Sequence, residues 1–149
     1  MIARLLVFLA CTVASVQTFA FPCYLTLVKD SCWQNYNVTV VVLDGKTNQT
    51  LTTVEVPKGK PWVREPFTCQ PGQQLMYKAS FDPVFWSSDK GKIYKALRYW
   101  VLPAEVENGD TAWDVPVCYP AAFAEVPFPP DAVGNCKCDF QSIPAIKPQ

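Results

Sequence analysis

Six cysteines, Cys23, Cys32, Cys69, Cys118, Cys136 and Cys138, follow an apolar N-terminal segment that carries the seventh, Cys11. Removing that segment turns an odd count into an even one. An even set in an exported chain predicts a disulfide framework. Such a framework constrains the fold more than any local propensity, because each bridge ties together two points that may be far apart in the chain. Six cysteines allow many pairings, and the sequence does not choose among them. Cys23 and Cys32 flank a break at Asp30-Ser31 that would let them meet. A bridge from Cys136 or Cys138 back to the body would pin the C-terminal segment.

The segment before Cys23 has the form of a secretory leader. Arg4 is followed by an apolar run over residues 5–16, too short to span a bilayer. Thr18 and Ala20 place small residues where a leader is cut, so cleavage is expected between Ala20 and Phe21. This divides the chain into a signal peptide, 1–20, and one domain, 21–149. Two other readings compete: a buried N-terminal helix, and a lipid-modified Cys11. The latter is a poor fit, because Phe8-Leu9-Ala10 does not resemble a bacterial lipobox. No other apolar stretch approaches the roughly 20 residues of a membrane span. The expectation is an exported protein, periplasmic or extracellular, with no transmembrane segment.

Histidine is absent. That removes the usual general base near neutral pH, and with it the Ser-His-Asp and Cys-His nucleophile systems. It also removes the commonest zinc and copper ligand. Without Arg4, twelve basic side chains stand against thirteen acidic ones. This balance gives no electrostatic case for nucleic acid. No enzyme activity, cofactor or metal is expected.

All 14 prolines follow the leader and limit helix length. Residues 24–28 read as a first strand. Residues 36–43, dense in β-branched side chains, and residues 50–56 form a hairpin around Asp44-Gly45, with a break in alternation at Thr52-Thr53 that suggests a bulge. Residues 74–81 alternate, with Leu75, Tyr77, Ala79 and Phe81 on one side. Residues 93–102 fit a strand better than a helix. Residues 113–119 alternate, and Pro116 marks an edge strand. The predicted fold is all-β: an antiparallel β-sandwich, immunoglobulin-like in architecture and disulfide-stabilised, with an irregular Pro-rich C-terminal segment and a mobile tail over 140–149.

Other patterns have bland readings. Cys136-Lys137-Cys138 is a strained spacing for an internal redox disulfide, and the cysteines lack the spacing of zinc knuckles. Glu105 and Glu107 sit in a polar connector. The aspartates have no calcium-loop spacing. Asn37 and Asn48 fit the N-glycosylation triplet, which a bacterial host would leave unused.

Five tryptophans are many for this length. Any one of them, Trp33 and Trp113 included, reads more readily as core than as surface; a candidate binding surface is formed by Trp62, Phe85, Trp86, Tyr99 and Trp100, since such side chains supply rigid amphipathic contact area. The sequence therefore points first to a non-enzymatic exported protein that binds a protein partner, as an accessory subunit of a cell-envelope or extracellular assembly. The alternative is a carrier holding a small apolar, lipid-like ligand between two sheets.

Overall fold

Alternating burial organises the chain into two sheets. The computed structural model describes residues 13–15 and 19–146. The charged and apolar parts of the expected leader, residues 1–12 and 16–18, lie outside the described residues, as do the last three residues of the tail. The strands are β1 (Phe21–Lys29), β2 (Asn37–Asp44), β3 (Thr50–Val56), β4 (Trp62–Cys69), β5 (Gln74–Asp82), β6 (Tyr94–Lys95), β7 (Trp100–Val101) and β8 (Trp113–Tyr119). One sheet has the order β4-β1-β8. The other runs β3-β2-β5-β6, with β7 also on β5.

The expected β-sandwich is present. Leu75, Tyr77, Ala79 and Phe81 all turn inward from β5. They meet Val38, Val40 and Val42 of β2 and Leu25, Leu27, Val115 and Val117 of the facing sheet in one buried cluster. The period of two puts every second residue on one face, so these strands cannot slip by one residue without exposing their apolar set. The β2–β3 hairpin forms as expected. Its register shifts between Val42 and Leu43, skipping Leu51, so the bulge falls one position before the Thr52-Thr53 break.

Three features differ from the sequence reading. The sandwich is not wholly antiparallel: β1 pairs with β4 antiparallel but with β8 parallel. A parallel neighbour needs a long crossover, and nearly the whole domain lies between these two strands. Residues 93–102 do not form one strand. Only Tyr94–Lys95 and Trp100–Val101 pair with β5, and the chain between them bows outward. Cys23 does not pair with Cys32. Both inward-facing Cys23 and Cys69 close a bridge within one sheet, from β1 to β4. Cys32 sits on a short 3-10 turn, Ser31–Trp33, whose Asp30 side chain accepts from the Cys32 amide at 2.9 Å. That turn carries Cys32 away from Cys23 and toward Cys136.

As Pro116 suggested, β8 is an edge strand. Beyond it the chain turns back and covers the neighbouring edge of the other sheet. Leu97 donates to Ala122 O at 2.9 Å, Ala124 donates to Lys95 O at 2.8 Å, and Ala96 and Phe123 form a bridge. These contacts blunt the β6 edge and join the two sheets there.

Residues 125–146, here the strap, contain no strand. Two bridges fasten the strap, Cys32–Cys136 and Cys118–Cys138. Asp131 accepts from Tyr36 Oη at 2.8 Å and from Asn35 Nδ2 at 3.0 Å. At its far end Pro144 O accepts from Arg64 Nη1 at 2.8 Å. The strap thus crosses from the 3-10 turn over the outer face of the three-stranded sheet. This explains why Thr26 and Val28, on the side of β1 that faces away from the core, are almost fully buried.

Candidate ligand-binding cleft

The strap does not lie flat on the sheet. Between them is a cleft of ≈ 950 Å³. Its floor is the outer face of β4, β1 and β8, represented by Arg64, Thr26, Asp114, Pro116 and Cys118. The roof is Phe140 with Ile143, Pro144, Ala145 and Ile146 of the strap. The cleft then rounds the β8 edge, where Val117 and Tyr77 come from the margin of the core and Leu97, Tyr99, Trp100, Ala121 and Ala122 complete the wall. Most of this lining is apolar, as in sites that take small molecules.

One end is polar and internally satisfied. The β1–β4 register sets Thr26 opposite Arg64, and Asp114 reaches them from β8. Arg64 Nε donates to Thr26 Oγ1 at 2.8 Å, and Thr26 Oγ1 donates to Asp114 Oδ1 at 2.5 Å. Arg64 Nη2 lies 3.7 Å from Asp114 Oδ2. With Nη1 on Pro144 O, the guanidinium is a clasp between sheet and strap. Its donors and the Asp114 acceptors are occupied within the protein. The group therefore ties the strap to the sheet.

Tyr77 also borders the cleft, but its hydroxyl has almost no accessible surface. Tyr77 is 3% exposed, and its hydroxyl has no hydrogen-bond partner among the described residues. Burial holds its pKa well above the usual tyrosine value, so the hydroxyl remains a donor at physiological pH. Tyr94 and Tyr119, also buried, have hydroxyls in the same state, but neither lines the cleft.

The structure separates the aromatic residues singled out from the sequence. Tyr99 and Trp100 line the cleft. Gly45 packs directly against Tyr99: a methyl group there would come within 3.0 Å of Tyr99 Cδ1. Trp62 is beside the cleft, on the same outer side as Arg64, whose guanidinium carbon is 5.7 Å from its ring centre. Phe85 belongs to a different cluster, 5.8 Å from Trp33 and 4.9 Å from Phe81 between ring centres. Trp86 caps that cluster from outside and is 57% exposed. Trp33 and Trp113 are core residues.

Sequence reasoning missed Thr26, Tyr77, Leu97 and the strap residues Phe140 and Ile143–Ile146 as wall. Tyr77 read as an ordinary inward strand position, and no local pattern marks its hydroxyl as unpaired. All six cysteines described are in disulfides. Asp30 lies with the Cys32 and Cys136 sulfurs, all within 4.8 Å of one another. Those sulfurs are bonded to each other, so they are not thiolate ligands. Compared with known proteins, the chain matches no family model, no curated protein and no solved structure. The functional reading therefore rests on the geometry of the cleft.

Proposed function

We propose that this chain is an exported, non-enzymatic binding protein whose cleft holds a small apolar or amphipathic molecule. The observation that carries this is the ≈ 950 Å³ apolar space between the strap and the three-stranded sheet. Its size falls in the range of small-molecule sites, roughly 300–1,000 Å³. It differs from the carrier expected on sequence grounds in one respect: the space is outside the sandwich and at its edge, not between the sheets. Export is supported by the leader-like residues 1–20 and by three disulfides, which fit folding outside a reducing cytosol. Among the described residues no helix is long and apolar enough to cross a membrane.

A second reading keeps the protein-partner function. Leu97 and Tyr99 on the bowed segment and Val101 on β7 are 64%, 52% and 60% exposed beside the cleft. A partner seated there would use the rim and leave the cleft unfilled.

Titration with the neutral fluorescent probe N-phenyl-1-naphthylamine separates the two. The cleft reading predicts saturable binding of one probe per chain, lost in Ala121→Trp. Ala121 is exposed and lines the cleft, so an indole there fills the space without disturbing the core. Absence of saturable binding, or equal binding by the variant, contradicts the cleft reading.

A further inference from the structure

Accepting the cleft as a small-molecule site, we infer that its ligand is a single-chain amphiphile with an anionic head, a long-chain carboxylate being the simplest case. Two observations converge on this.

The first is charge. Among the described residues, the only ionic side chains in the lining are Arg64, Arg98 and Asp114. Arg64 and Asp114 face each other in the clasp, leaving one positive charge, that of Arg98. Arg98 is exposed on the bowed segment between β6 and β7 and has no hydrogen bond or ion pair with any described residue. A monoanion complements the lining; a neutral lipid leaves that charge unused, and a cation is repelled.

The second is the rest of the lining. It is mostly apolar, with Phe140, Ile143 and Pro144 in the roof, and its charged pair, Arg64 and Asp114, is already engaged within the clasp. That suits a hydrocarbon chain and not a second polar head.

The test is displacement of N-phenyl-1-naphthylamine by oleate and by oleyl alcohol, which share a chain and differ in head charge, each below its micelle-forming concentration. Wild-type protein is expected to bind oleate roughly tenfold more tightly than the alcohol. In Arg98→Gln the ratio of the two affinities should fall toward one. Equal affinities in the wild type, or a preference that survives Arg98→Gln, overturns the anionic head. Probe binding that neither ligand displaces overturns the amphiphile while leaving the cleft as a small-molecule site. Failure of the probe to bind removes both.

Discussion

At the residue scale, Lys29 is the least ordinary side chain of the interior. It is 2% exposed, and Nζ donates to Tyr36 O at 2.8 Å and Pro57 O at 2.9 Å. Desolvation lowers its pKa from 10.5 to about 8. Below about pH 8 the folded and unfolded chains both hold this proton, and the burial penalty acts in full. Between that value and 10.5 the folded chain has released it while the unfolded chain still binds it, so stability rises with pH across this window. Above about pH 10 the buried tyrosines reverse the trend, since the folded chain keeps protons that the unfolded chain loses. Urea midpoints measured at about pH 7.5 and about pH 9.5 should show the rise, and Lys29→Met should remove it. That variant should also cost about 1–3 kcal/mol at neutral pH, because two carbonyls lose a charged donor.

Gly45 makes a second residue-scale prediction. Sequence reading placed it in turn chemistry, which is correct but incomplete. Its close approach to Tyr99 leaves little room for a side chain. Gly45→Ala should cost roughly 1–2 kcal/mol in a urea melt and weaken probe binding by moving the Tyr99 ring at the rim. A stability loss with unchanged probe affinity would show that Tyr99 is not part of the binding wall.

At the element scale, strands with strong period-two patterns were legible and interactions distant in sequence were not. The inward set on β5 and the β2–β3 hairpin follow from alternation and turn residues alone. Pro116 marked an edge because proline lacks the ladder donor. Nothing local distinguishes the parallel β1–β8 pairing from an antiparallel one, since the alternation of β8 is the same in both. The Cys23–Cys32 expectation failed for a related reason. Proximity in sequence suggested a short loop, but the 3-10 turn directs Cys32 toward residue 136, at a separation of 104. The cleft escaped sequence reading because its floor, flank and roof come from separate parts of the chain. The expectation that Cys136 or Cys138 would tie the Pro-rich segment to the body was correct for both.

The strap can be tested as an element. Cys118–Cys138 closes a separation of 20 residues and lies where the roof meets β8. Replacing both with alanine should cost about 3 kcal/mol on the chain-entropy account. Far-ultraviolet circular dichroism should still show the two sheets, whose core does not include Cys138. Probe affinity should fall severalfold if the strap is a wall of the site. Retained affinity in a destabilised variant would mean that the strap fastens the fold without shaping the cleft.

For the whole molecule, the disulfides and the apolar core leave the sandwich well specified, while the strap adds a second layer outside it. A sandwich that needed only stability would gain most from a strap packed flat on β1 and β8. Here the same residues enclose an apolar space with an unpaired arginine in its wall. Native mass spectrometry of the protein recovered from cells expressing the full chain, before and after solvent extraction, tests the central claim most directly. The account predicts one small molecule per chain before extraction, its loss afterwards, and its replacement by added oleate. A bare chain that takes up neither oleate nor the neutral probe would contradict the cleft as a binding site.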